Sequence, residues 1–101
     1  MGWATEYIEK LKLGVSVSFR PRGNSMSGLI ESGQLCVVQP LNMPETLSVG
    51  DIILCTVNGN QYLHLIKGIK GNQFQIGNNR GGINGWITGD KIYGRLIKVI
   101  S

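Results

Sequence analysis

Asn58-Gly59-Asn60 sits between two apolar runs, Ile52 to Val57 and Gln61 to Ile66. Asn-Gly between strand-like runs is the strongest short-range hairpin signal. A tight turn whose twist suits the flanking strands needs positive φ at its centre, and these residues tolerate it. This one feature commits the middle of the chain to antiparallel β structure. With 101 residues there is room for one domain and one modest core. Hydrophobic residues at 42% and charged residues at 16% place the chain among globular proteins rather than disordered ones. Fifteen glycines and three prolines argue for many turns and short strands, not a helical bundle.

On either side of the hairpin the same period of two recurs. Val15 to Arg20 alternates with serines and predicts a strand. Ser25 to Gly33 is rich in turn residues, with room for one helical turn. Gln34 to Gln39 predicts a strand centred on Leu35-Cys36-Val37-Val38. Pro40 to Val49 holds two prolines and reads as a loop. A second turn at Gly71-Asn72 leads into a strand at Phe74 to Ile76, Asn78 to Gly89 reads as glycine-rich and irregular, and Ile92 to Ile100 predicts a final strand. Trp86, within that irregular stretch, is expected to plug one end of the barrel rather than to stand exposed. Only the start differs in period. From Trp3 to Leu13, Trp3, Tyr7, Ile8 and Leu11 share one face and Glu6, Glu9, Lys10 and Lys12 the rest, which predicts an amphipathic helix stopped by Gly14. The expected organisation is therefore an N-terminal helix at 1–14 and a β domain at 15–101. That domain is mainly β, a coiled and partly closed barrel.

Several function classes recede at this stage. The net charge of +4 comes from scattered Lys and Arg with no basic run, so a mildly basic surface is favoured over a nucleic-acid footprint. Cys36 and Cys55 lie in apolar runs without CxxC spacing and are expected as buried free thiols. With a single histidine, no metal site is expected, and no cofactor. No apolar run approaches the roughly 18 residues that a membrane helix needs, and no secretory signal is visible. A cytoplasmic location without a membrane anchor is the expectation. What stands out is Ser25, in the turn Arg22-Gly23-Asn24-Ser25-Met26, together with the lone histidine, His64, in the run Tyr62-Leu63-His64-Leu65-Ile66. A serine hydroxyl is a poor nucleophile at neutral pH and needs an adjacent base. Taken singly, Ser25 reads as a turn serine and His64 as a hydrogen-bonded histidine on a sheet face.

Taken in order, these segments resemble a known family. Gly23-Asn24-Ser25-Met26 resembles the Gly-x-Ser-Met signature of the LexA/UmuD and type I signal peptidase superfamily of serine peptidases. Leu29-Ile30-Glu31-Ser32-Gly33-Gln34-Leu35 resembles its apolar, then Gly-Asp, continuation. Val49-Gly50-Asp51-Ile52-Ile53 resembles its Gly-Asp-Ile-Val turn into a strand. Tyr62 to Ile66 resembles the strand that carries the general base. Ile76-Gly77-Asn78-Asn79 resembles the Gly-Asp-Asn box, and Asp90 to Leu96 the closing strand. The resemblance spans residues 19 to 99. It implies Ser25 as nucleophile and His64 as general base, the histidine variant of a base that is lysine in LexA-like proteins. Lys67 lies three residues on, which in a regular strand puts it on the opposite face from His64; only a bulge would let it take that place. The resemblance also implies that Gly23, Asn24, Ser25 and Met26 shape the oxyanion or substrate-binding turn, with Met26 packed beneath the site.

Departures from the pattern are specific. Gly28 stands where the family has proline. Gln34 and Asn78 stand where it has aspartate. In the histidine-type enzymes a further acid orients the imidazole, and by count it falls near Asn84, which is not acidic. Asp90 is the only later acid; it either substitutes or begins the last strand. Asp90, Asn78 and Asn84 are thus the candidates for orienting the imidazole. Asn78, Asn79 and Gly81-Gly82 otherwise read as a tight turn. No helix-turn-helix segment, membrane anchor or Ala-Gly self-cleavage dipeptide is visible, so the expectation is a stand-alone cytoplasmic or phage-encoded domain cutting a polypeptide in trans. The alternative is a catalytically silent domain of the same fold that binds a protein partner. Relatives often dimerise through β surfaces, so a homodimer is an implied assembly.

Overall fold

A computed structural model describes residues 2–101. It contains one α-helix, α1 (Thr5–Lys12), short 3-10 turns at Pro44–Thr46, within the expected loop, and at Gly89–Lys91, and seven strands: β1 (Val17–Phe19), β2 (Leu35–Pro40), β3 (Ile52–Val57), β4 (Asn60–Lys70), β5 (Gln73–Gly77), β6 (Ile83–Thr88) and β7 (Ile92–Ile100). The strands form one antiparallel sheet in the order β1-β2-β7-β3-β4-β5-β6. The Asn58-Gly59 turn is a two-residue hairpin: Val57 pairs with Asn60, and φ is 50° at Asn58 and 82° at Gly59. None of the described helices is long and apolar enough to cross a membrane.

β3 lies near the middle of the sheet, and both of its faces are covered. Leu54 joins a core cluster with Ala4, Ile8 and Leu11 of the N-terminal segment and Phe19, Met26 and Leu63. Ile53, Cys55 and Val57 join a second cluster with Ile66, Phe74, Ile76 and Ile87 on the opposite face. Burial on both faces explains why Ile52 to Val57 reads as a continuous apolar run instead of an alternating one. Each fully buried leucine or isoleucine contributes about 1.5–3 kcal/mol relative to its exposed state. Both cysteines are free and buried, Cys36 in the first cluster and Cys55 in the second.

α1 buries Ile8 and Leu11 and places Glu6 in its first turn and Lys10 and Lys12 in its last, charges that suit the helix dipole. Gly14, at φ +85°, ends it. The helix starts later than the periodicity predicts. Trp3 stands in the preceding turn, and Ala4 N–H, which has no partner within the helix, donates to the side-chain carbonyl of Gln61 on β4.

The passage 78–89 differs more. Residues 78–82 do form a turn, but Ile83 to Thr88 is a regular strand: β6 pairs along β5 from Gln73–Thr88 to Gly77–Ile83. Gly81 and Gly82 fall in the turn, Gly85 borders one bulge and Gly89 follows the strand, which leaves Ile83, Trp86 and Ile87 free to act as strand residues. Trp86 is not a plug. It pairs with Gln75 and is 46% exposed, its ring lying over Gly68 on the outside of the sheet. Alternation along β6 decides this, since Ile87 takes the inward position.

Candidate active site

β1 runs into Arg20-Pro21-Arg22, and the chain then turns through Gly23, at φ +114°, to deliver Ser25. Three contacts hold this turn. Gly23 N–H donates to Ser32 Oγ at 3.1 Å, Ser27 N–H donates to Asn24 O at 3.1 Å, and Asn79 N–H donates to Ser25 O at 2.8 Å. Asn79 Nδ2 adds a bond to Ser27 O at 2.7 Å, so the 78–82 turn clamps the serine loop from across the sheet. Met26 is buried in the first core cluster directly after the serine and anchors the loop from below. Ser25 N–H carries no hydrogen bond among the described residues.

His64 sits on β4 opposite Ile53 of β3 and is only 7% exposed. Its Nε2 lies 3.1 Å from Ser25 Oγ, and its Nδ1 lies 2.7 Å from Asn84 Oδ1. An amide oxygen only accepts, so Nδ1 carries the proton and Nε2 is left as the acceptor facing Ser25. Tyr62, two residues back on the same face, stacks on the imidazole at 4.8 Å between ring centres. Burial pushes the His64 pKa below its ordinary value of 6.5, and the Asn84 bond offsets part of that. The ring is therefore neutral at pH 7 and free to accept a proton.

Asn84 reaches the ring through a bulge. Gly77 of β5 pairs with Ile83 and Ile76 with Gly85, which leaves Asn84 as the extra residue on β6. Bulges of this kind re-aim a side chain out of strict alternation. The other two orienting candidates lie elsewhere. Asp90 is exposed and accepts from the Thr88 hydroxyl, which holds its carboxyl below the usual range. Asn78 Oδ1 accepts from Arg80 and Gly82 N–H, both at 2.8 Å, and so shapes its own turn. Lys67 is itself bulged against β5, but its stem lies over Gly77, which pairs with Leu65, on the face away from His64.

The hydroxyl and the imidazole stand at one end of a groove of about 620 Å³. One wall is the segment from Phe19 to Gly23, the other is Gln61 to Leu63 of β4, and Trp3 and Tyr7 close the far end. Periodicity alone could have flagged Tyr62, two residues before His64. Nothing in the sequence announces the Trp3–Gln61 contact, which joins residues far apart in the chain. Among the described residues no three His, Cys, Asp or Glu side chains converge as metal ligands. No protein-family model matches the chain, and no curated protein matches it.

Proposed function

We propose that the protein is a serine peptidase that cleaves a polypeptide in trans, with Ser25 as nucleophile, His64 as general base and Asn84 orienting the imidazole. The single observation that carries this reading is the linear relay Ser25 Oγ–His64 Nε2, 3.1 Å, and His64 Nδ1–Asn84 Oδ1, 2.7 Å. Distances in hydrogen-bond reach at both ring nitrogens, with the correct tautomer imposed by the second, are what such a base requires. Serine attacks the peptide carbonyl carbon while its proton passes to Nε2. The resulting imidazolium then protonates the leaving amine, and water attacks the acyl-enzyme with the same histidine as base. The free Ser25 N–H is available to the developing oxyanion. Gly23 N–H is already engaged by Ser32 and contributes turn geometry instead.

The fold belongs to the same proposal. We read the sheet as the coiled, partly closed barrel of the LexA and type I signal peptidase superfamily. The approach of β6 to β3 supports this reading: a Cβ on Gly85 would lie 3.3 Å from Val57 Cγ1.

One observation favours a second reading, a catalytically silent domain of this fold that binds a protein partner. Asn84 is neutral and gives the imidazolium no counter-charge. Labelling with a fluorophosphonate probe separates the two. The peptidase reading expects covalent labelling that Ser25→Ala and His64→Ala both abolish. A wild-type protein that remains unlabelled above neutral pH leaves the binding module.

A further inference from the structure

We propose that the groove beside the dyad is a subsite for a large apolar side chain of an extended polypeptide, and that Trp3 is its specificity-determining wall. This rests on the peptidase reading for its substrate, but its geometry stands apart from the chemistry.

Two features define the groove. The first is an open backbone edge. β4 pairs with β3 from Asn60 to Leu65, whereas its pairing with β5 begins only at Leu65. Residues 60 to 63 therefore have one edge without a partner strand. In an antiparallel ladder, hydrogen-bonded and non-bonded pairs alternate, and a two-residue turn is flanked by a bonded pair. Counting from Val57–Asn60, the N–H and C=O groups of Gln61 and Leu63 point away from β3, toward the groove. The Trp3 contact agrees with this count: indole Nε1–H donates to Gln61 O at 3.1 Å. The Leu63 groups lie next to it, one residue before His64, and are open to a peptide in β-addition.

The second feature is the chemistry of the cavity. Its lining includes Trp3, Tyr7, Phe19, Met26, Ile30 and Leu63. Phe19 stacks on Tyr7 at 4.5 Å and meets Trp3 edge-on at 5.5 Å. Trp3 is 50% exposed, an unusual position for an indole, yet it is not loose. Its N–H bond fixes it, and Gln61 holds the start of α1 through Ala4 N–H at 2.7 Å and Thr5 Oγ1 at 2.9 Å. A fixed, half-exposed aromatic wall facing a free strand edge is suited to cover an apolar side chain. A small side chain would leave most of the cavity unfilled. A chain paired along Leu63 and reaching Ser25 places successive side chains alternately into and out of the groove. The bulky residue therefore occupies a fixed register from the bond that is cut.

The test uses N-acetylated, C-amidated heptapeptides of mixed serine, threonine and alanine with a single Phe, Leu or Ala walked through each position. Binding is measured on Ser25→Ala by the backbone amide and indole N–H signals in two-dimensional NMR, with Trp86→Phe assigning the two indole resonances and the amide signals giving the affinities of the Trp3 variants. The expected result is that Phe and Leu peptides shift the Trp3 signal and bind about tenfold or more tighter than the alanine peptide. Trp3→Ala removes this preference, bringing the Phe, Leu and Ala peptides to similar affinities, and Trp3→Phe retains it. An unmoved Trp3 signal, or equal affinity for Phe and Ala peptides, overturns the subsite. Cleavage by the wild type, read by mass spectrometry, keeps the two proposals apart. Apolar preference in binding with no cut peptide and no fluorophosphonate label leaves the subsite standing and removes the peptidase. Cutting that favours alanine does the reverse.

Discussion

Asn84 Oδ1 lies 2.7 Å from His64 Nδ1, although Asn84 faces no partner residue across the β5–β6 ladder. The bulge that frees it from pairing is also what aims it. A neutral amide orients the ring but adds no negative charge, so its removal and its conversion to a carboxylate should act differently. Asn84→Ala is expected to slow fluorophosphonate labelling about ten- to a hundredfold, the worth of one hydrogen bond to a group that becomes charged. Asn84→Asp is expected to raise the imidazole pKa and shift the pH midpoint of labelling upward. A labelling rate that both variants leave at the wild-type value would mean the amide has no part in the chemistry.

The pH dependence follows from the buried ring. His64 titrates below its ordinary 6.5 because burial disfavours the imidazolium. Labelling should therefore rise with pH through a midpoint under that value and be level at neutral pH. The stability consequence has a defined sign. The unfolded chain takes up a proton near 6.5 while the folded ring resists it, so stability is full above that pH and falls as pH drops below it. Urea unfolding between pH 7.5 and 5 measures the slope, and His64→Gln should flatten it.

How much of this was legible in the sequence varies with the range of the contact. The Asn58-Gly59 hairpin and the strand that carries His64 follow from local turn chemistry and period two. β3 has its predicted bounds because a continuous apolar run, buried on both faces, ends at the Asn58-Gly59 turn. The strand β6 was not legible: glycines at 77, 81, 82, 85 and 89 mask a strand whose regularity comes from pairing with β5. At the site, Ser25 and His64 stood out as residue types, but their meeting depends on the clamp of Asn79 on the serine loop, which no local pattern encodes. Counting along the chain places Asn84 near the imidazole, but its contact with the ring depends on the bulge. An aromatic in a glycine-rich passage reads as a plug, whereas strand alternation in β6 turns Trp86 outward.

Gly77 tests the clamp. A Cβ there would clash with Gly82 O, a backbone atom that also accepts Asn78 N–H at 3.0 Å. The 78–82 turn must move to admit it, and Asn79 moves with the turn. Gly77→Ala is expected to cost about 1–3 kcal/mol or more in urea unfolding and to slow Ser25 labelling in the protein that remains folded. Gly81→Ala is the comparison. It has positive φ, +87°, but open space around it, so it should cost about 1–2 kcal/mol through backbone strain alone. Its labelling rate should stay near wild type. Equal effects of the two substitutions on labelling would dissociate the turn from the serine.

The two thiols report whether the sheet opens as one unit. Cys55 is held by burial with its pKa pushed up to about 12, and the Cys36 pKa is raised for the same reason. Neither is a competent nucleophile in the folded protein, since the thiolate is the reactive form. They occupy opposite faces of the sheet, one in each core cluster. A domain of this size that unfolds in a single cooperative step exposes both together. Iodoacetamide at pH 8 should therefore modify neither in the native state. With rising urea both should become reactive with the same midpoint, matching that of tyrosine and tryptophan fluorescence. Cys36 becoming reactive at lower urea than Cys55 would mean that β1 and β2, with the α1 side of the core, separate first. That would make the Trp3 end of the groove the weaker part of the fold.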